Sequence, residues 1–312
     1  MKKELSFFFK LSFSIIIIFI LFYKIGFGSI LQTFEKINFV YIFLSIIVTI
    51  FPFLLGALNI KILTDSVVKI QFLKILRYSL LSWTIGLFVS GKIGEFSIIY
   101  FLKKEGISIG QGSAISIIDK LISALTLSLL TILCFFVFLT TIETIKLVIA
   151  LGALFMIFVF FVITNIGRKF IKKYILRKYA RKFAGFSKTF FYFIKHKKRI
   201  LVLNFILTLS KWILNAVGIA ILFLAFDTTT KFYYILLITA ATIIVGLAPF
   251  TISGLGLRES LAIFLYSLIN IEPTIVAGVY IMYNIINYLF AAIIFSTTNI
   301  KRVGRTFPNM VS

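Results

Sequence analysis

Arg258 and Glu259 stand side by side where hydropathy asks for leucines. They close the stretch Pro249-Phe-Thr-Ile-Ser-Gly254-Leu-Gly256-Leu-Arg258-Glu259, which interrupts an apolar run that begins near Phe232 and resumes through 261–268. Backbone released from helical pairing at membrane depth is tolerated only where protein buries it or a wet cavity receives it. Ionisable side chains at that depth are functional suspects. A second interruption, Gly91-Lys92-Ile93-Gly94-Glu95, lies about 160 residues earlier and also sets glycines beside an acid and a base. Paired, glycine-broken segments in corresponding halves of a chain point to a transporter binding site.

The chemistry these residues offer is anion recognition. Glycine lets backbone approach a ligand closely, and a helix starting there aims unpaired N–H groups at negative charge. Gly91, Gly94, Gly254 and Gly256 are the candidate backbone contacts. Lys92, Lys120 and Arg258 supply cations for a phosphate, and Glu95, Asp119 and Glu259 balance them or carry a proton. The same residues also suit structural ion pairs that lock broken helices together. No catalytic constellation accompanies them, so an enzyme is not expected, and no cofactor or metal site is. The lone His196 lies in a Lys-rich loop, and the single cysteine, Cys134, lies in an apolar run.

The elements that must hold these residues are membrane helices. Of 312 residues 61% are hydrophobic and only 14% charged, against roughly 25% charged in soluble domains. Several runs approach the ~20 apolar residues that a spanning helix needs. The formal charge of +23 fits the positive-inside rule and attraction to anionic lipid. No base-stacking motif accompanies it, so nucleic acid is not an expected partner.

Lys2, Lys3 and Lys10 precede a first run near 11–30, placing the N-terminus in the cytoplasm. Further spans are expected near 38–60, 112–140, 145–166, 200–226 and 274–297, with the tail bearing Lys301, Arg302 and Arg305 inside. Residues 78–102 read best as a re-entrant pair, because a full crossing would leave the most basic loops outside. Residues 232–270 fit either a second re-entrant pair or two crossings. The fold expected is therefore all-α and polytopic, with about six full spans, two re-entrant or broken helix pairs in a candidate inverted repeat, and both termini cytoplasmic. Halves 1–166 and 200–312 form one domain joined by the basic segment 167–199, where 168–199 holds 13 Lys or Arg and no acid. That segment suits an amphipathic interfacial helix, serving as a topology anchor or as a docking surface.

At these motifs the chain resembles the flippase-like transmembrane region of lysylphosphatidylglycerol synthases. Lys92-Ile93-Gly94-Glu95 resembles the family's Arg-x-Gly-Glu, Asp119-Lys120 its acid–base pair, and Ser253-Gly254-Leu255-Gly256-Leu257-Arg258-Glu259 its Gly-Gly-Leu-Gly-x-Arg-Glu. Tyr283-Asn284-Ile-Ile-Asn287 falls where a Tyr-rich helix is expected. Lys92 and Lys120 replace arginines, which loses bidentate geometry; Ile98 stands where a base is common, and Ser123 where an acid is. The resemblance spans roughly 10–297 and implies a flippase-like domain that translocates lipid in the cell membrane. The substrate would be an anionic, aminoacylated or polyprenyl-phosphate lipid. The family's aminoacyl-transferring soluble domain has no counterpart through Ser312, so lysine transfer is not expected; a separate lipid-modifying enzyme or a second copy are candidate partners. Two other readings stay open, a membrane-embedded transferase on lipid-linked substrates and a non-transporting partner protein. No ATP-binding loop is present, so uphill transport would draw on an ion gradient or on product consumption.

Overall fold

The computed structural model describes residues 2–139, 183–248 and 251–297, with positions 142, 146, 149 and 164. Among the described residues the chain is helical and has no strand. The span expected at 145–166, residues 168–182 of the basic segment, Pro249, Phe250 and the tail basics lie outside them.

Two long helices form the axis of the molecule, α3 (Phe39–Thr64) and α8 (Lys198–Ala225). Ser45 donates its hydroxyl to the Gly218 carbonyl at 3.0 Å, Asn59 Nδ2 donates to Thr208 Oγ1 at 3.0 Å, and Asn204 Nδ2 donates to the Asn59 carbonyl at 3.2 Å. Pairing 45 with 218 and 59 with 204 and 208 makes the helices antiparallel. Lipid tails give helices no hydrophobic reason to associate, so small residues and interhelical hydrogen bonds do that work. The lipid side of α3 is the reverse, with Phe39, Phe43, Ile47 and Phe51 exposed.

A broken hairpin follows each axial helix. The first consists of α4 (Phe72–Leu87), a 3-10 segment (Ser90–Ser97) and α5 (Ile98–Lys104). It doubles back on itself: the Tyr78 and Phe101 rings stack at 5.4 Å, and Lys74 Nζ lies 3.0 Å from the Glu105 carboxylate. Tyr78 also donates its hydroxyl to Glu105 at 2.7 Å. The second hairpin consists of α9 (Phe232–Gly246) and α10 (Leu257–Ser267). Its ends meet too, since Thr228–Lys231 and Asn270–Glu272 line one pocket.

Each hairpin leads into a long closing helix, α6 (Ile109–Phe138) or α11 (Pro273–Thr297). Ser108 starts α6 with a reciprocal cap, its hydroxyl accepting from Gln111 N at 3.2 Å while Gln111 Oε1 accepts from Ser108 N at 3.0 Å. The order α3, α4, α5, α6 thus recurs as α8, α9, α10, α11, and the packing recurs with it. α3 packs on α4 as α8 does on α9; α4 packs on α11 as α9 does on α6; α5 packs on α6 as α10 does on α11. Because the axial helices are antiparallel and each hairpin follows the C-terminus of its own, the two hairpins enter from opposite ends. Their tips meet midway.

Four described helices, α3, α6, α8 and α11, are long and apolar enough to cross a membrane, and a fifth crossing arises if the bent pair α1 (Lys2–Ile25) and α2 (Phe27–Glu35) counts as one. The sequence reads as one span over 11–30. The chain instead bends by 78° at Gly26, whose φ of 93° is open to glycine at no steric cost. Beyond the bend, Phe34 meets Phe226 edge-on at 5.5 Å. Of the basic segment, α7 (Phe186–His196) buries Phe190 and Phe193 against the base of the first hairpin and exposes Lys188 and Lys195.

Candidate functional site

The second tip is built around three glycines. Gly246 ends α9, and a Cβ placed there would lie 2.7 Å from Arg258 Cδ. A Cβ on Gly254 would lie 2.5 Å from the Gly246 Cα and 2.9 Å from Arg258 Cδ. The aliphatic stem of Arg258 therefore runs across two bare backbones. Gly254 and Gly256 hold φ of 82° and 86°, and Ser253 before them holds 52°, which costs a non-glycine residue strain. Ser14 of α1 braces the turn, its hydroxyl accepting from Ile252 N at 3.1 Å.

The first tip repeats the device with the opposite charge. A Cβ on Gly86, one residue before the end of α4, would lie 2.6 Å from Glu95 Cγ, and one on Gly94 would lie 2.6 Å from the Ile85 carbonyl. Glu95 thus crosses a helix-end glycine as Arg258 does, and Gly86 stands before Gly94 at the same spacing as Gly246 before Gly254. Lys92 holds a φ of 56° here. Gly91 belongs to the 3-10 segment of this tip.

Three of the glycines expected as backbone anion contacts admit close packing on their Cβ side. Gly94 and Gly254 receive their own hairpin's helix, and Gly256 receives Ile17 of α1, 2.7 Å from where its Cβ would be. The Gly256 N–H is also taken, donating to Glu259 Oε2 at 2.7 Å. Glycine is required here for packing of the chain on itself.

The charged residues divide into two joined groups. Glu95 of the first tip pairs with Lys120 of α6, and Lys120 Nζ lies 3.6 Å from the Asp119 carboxylate. Lys211 of α8 lies within electrostatic reach of all three, its ammonium 4.6 Å from the Trp212 ring centroid. The other group surrounds Arg258. Its guanidinium sits 5.5 Å from the Tyr283 ring centroid, while Asn215 Nδ2 of α8 donates to the Tyr283 hydroxyl at 3.2 Å. Lys92 joins the groups, within reach of Glu95 on one side and of Arg258 and Tyr283 on the other.

A small cavity marks the second group. Lys92, Ser253, Arg258, Glu259, Tyr283, Asn284, Asn287, Tyr288 and Trp83 line it, and it encloses about 30 Å³. That is small beside the about 300 Å³ or more of typical ligand pockets. The tips are closed on one another. Glu95, Asp119 and Lys120 lie beside this cavity and do not line it.

Pairing decides which charge the site accepts. Glu259 is spent, since its second oxygen accepts from Asn284 Nδ2 at 2.7 Å. Glu95 and Asp119 share Lys120. Among the described residues Lys92, Lys211 and Arg258 make no ion pair, and the buried Arg258 Nε has no hydrogen-bond partner. Buried donors of that kind are rare. The surplus is cationic, which suits an anion. Lys211 is the member that sequence motifs do not flag; its one signal is a lysine inside an apolar run. Trp83 and Tyr288 carry no such signal.

These features define a multi-pass helical membrane protein in which two broken hairpins meet around buried charge. Residues 7–294 match the family model described as the lysylphosphatidylglycerol synthase TM region. The chain belongs to that family. Among curated proteins, none matches it.

Proposed function

We propose that the protein translocates the headgroup of an anionic, aminoacylated or polyprenyl-phosphate lipid across the cell membrane, between the two hairpin tips. The observation that carries this is the buried Arg258, which forms no ion pair among the described residues, beside Lys92 and Tyr283, with both oxygens of Glu259 already hydrogen-bonded. A lipid phosphate supplies the acceptor that Arg258 Nε lacks and leaves its acyl chains among the exposed apolar side chains outside. The collapsed cavity requires the tips to part for passage, which makes the site a gated one. Both hairpins are re-entrant in this reading, one from each face, as in transporters with inverted repeats.

Orientation follows from charge. The end that holds the base of the first hairpin carries Lys61, Lys69, Lys74, Arg77, Lys103, Lys104, Lys188, Lys195, Lys198 and Arg199 against Asp65 and Glu105. The opposite end carries Lys36 and Lys231 against Glu35, Asp227 and Glu272. The positive-inside rule therefore assigns the first end to the cytoplasm. With the six spans expected from the sequence, both termini are cytoplasmic.

The test is reconstitution with fluorescent phosphatidylglycerol. Wild type is expected to move the lipid between leaflets, Arg258→Ala to lose most of that activity, and Arg258→Lys to keep part of it. Equal rates for wild type, Arg258→Ala and protein-free vesicles would sink the proposal.

A further inference from the structure

We infer that two stripes of buried serines, one on α4 and one on α6, form a hydrated route from the base of the first hairpin to the Glu95–Lys120–Asp119 cluster, and that its cargo is the proton. Ser113, Ser116, Asp119, Lys120 and Ser123 recur at helical spacing along one face of α6, about 15 Å of helix at 1.5 Å per residue. On α4, Ser79 and Ser82 share a face with Gly86 at the same kind of spacing, and Gly86 is the residue across which Glu95 lies. Both stripes therefore end on one carboxylate.

These hydroxyls differ from those of Thr84 and Thr126 on the same two helices, although Thr131 further along α6, and Thr239 and Thr251 elsewhere, are likewise without a partner among the described residues. Thr84 and Thr126 fold back onto the carbonyls of Leu80 and Ile122, each at 2.9 Å, the usual way a membrane helix satisfies a buried hydroxyl. Ser79, Ser82, Ser113 and Ser116 do not: among the described residues their Oγ atoms are buried with no hydrogen-bond partner, as is that of Ser97 at the start of α5. Ser82, Ser113 and Ser116 are 2%, 2% and 0% exposed. Packing alone would ask for alanine. Waters along each stripe satisfy these hydroxyls, because each serine offers a donor and an acceptor and neighbouring turns supply the several partners that a buried water takes.

A proton arriving along this route binds the Glu95 or Asp119 carboxylate, which releases Lys120 from that ion pair; its departure restores the pair. The charged groups facing the two carboxylates are Lys120 on α6, Lys92 in the first tip and Lys211 on α8. Glu259 is no part of the route, since both its oxygens accept from N–H groups. The use made of the proton, driving headgroup movement, rests on the proposed translocation; the route itself does not.

The route is tested on full-length Cys134→Ala protein carrying Ser82→Cys, Ser113→Cys or Ser116→Cys, with Ile118→Cys on the opposite face of α6 as reference. Intact mass follows modification by neutral 2-hydroxyethyl methanethiosulfonate. The stripe thiols are expected to react at least ten-fold faster than the reference, and rates equal to the reference for all three would overturn the route. In proteoliposomes, an imposed pH gradient is expected to change lipid movement by wild type and Ser116→Ala and to leave Ser116→Leu unresponsive. A wild type that moves lipid but ignores the gradient would overturn the use of the proton. A wild type that moves no lipid overturns translocation, and the thiol rates still decide the route.

Discussion

At the scale of single residues, Arg258 and Glu259 are neighbours with separate tasks. Glu259 is occupied by Gly256 N and Asn284 Nδ2, so it works as the cap of α10. Arg258 crosses two glycines and is left with an unpartnered Nε. Glu259→Gln is therefore expected to destabilise the protein by about 1–3 kcal/mol, because the amide NH₂ cannot accept from either donor. Thermal unfolding in detergent measures this, and an unchanged Tm would remove the cap role. Sequence alone made the two residues equal candidates for the substrate, since adjacency carries no information about where hydrogen bonds go.

At the scale of elements, each tip is a helix end pressed on a glycine turn. Gly254→Ala would put its Cβ 2.5 Å from the Gly246 Cα at a φ of 82°, a clash with backbone that no rotamer relieves. Loss of folded protein is expected, whereas Gly28→Ala, with nothing within 4 Å of its Cβ, is expected to be tolerated; size-exclusion profiles distinguish them. The first hairpin is also clasped at its base. The hydroxyl of Tyr78, and then the ammonium of Lys74, hold the Glu105 carboxyl below the ordinary glutamate range. A carboxyl so lowered adds stability that is complete above its unfolded value of about 4.3 and is lost as pH falls through the folded one. Hydrogen exchange in the first turns of α4, corrected for intrinsic rates, is expected to quicken between pH 5 and pH 3, and Glu105→Gln is expected to remove that dependence. The broken elements were legible in sequence as Gly91–Glu95 and Gly254–Glu259, because glycine and charge in an apolar run have few structural uses. The bend at Gly26 was not, because its neighbours are as apolar as a continuous span requires.

At the scale of the whole molecule, the antiparallel α3–α8 pair turns two similar halves into opposed ones. Opposed hairpins bring one tip from each end of the molecule to one shared site. Orientation is checked by thiol labelling on Cys134→Ala protein in intact cells. Thr229→Cys is expected to react with an impermeant maleimide from outside, and Lys188→Cys only after the membrane is opened; the reverse pattern would invert the orientation proposed above.

Composition and pattern by themselves determined that this chain lives in a membrane, which segments break, and that each break sets a cation beside an acid. Those properties are local: hydropathy, glycine and charge are read within a single turn or two. Tertiary structure alone decided how the charges are shared. It gave Lys120 to Glu95 and Asp119, spent Glu259 on a helix end, brought Lys211 in from α8 and left Arg258 unpaired beside Tyr283. Each of those assignments depends on which helix faces which across the axis. That is fixed by packing between residues far apart in the chain, and no local spacing encodes it.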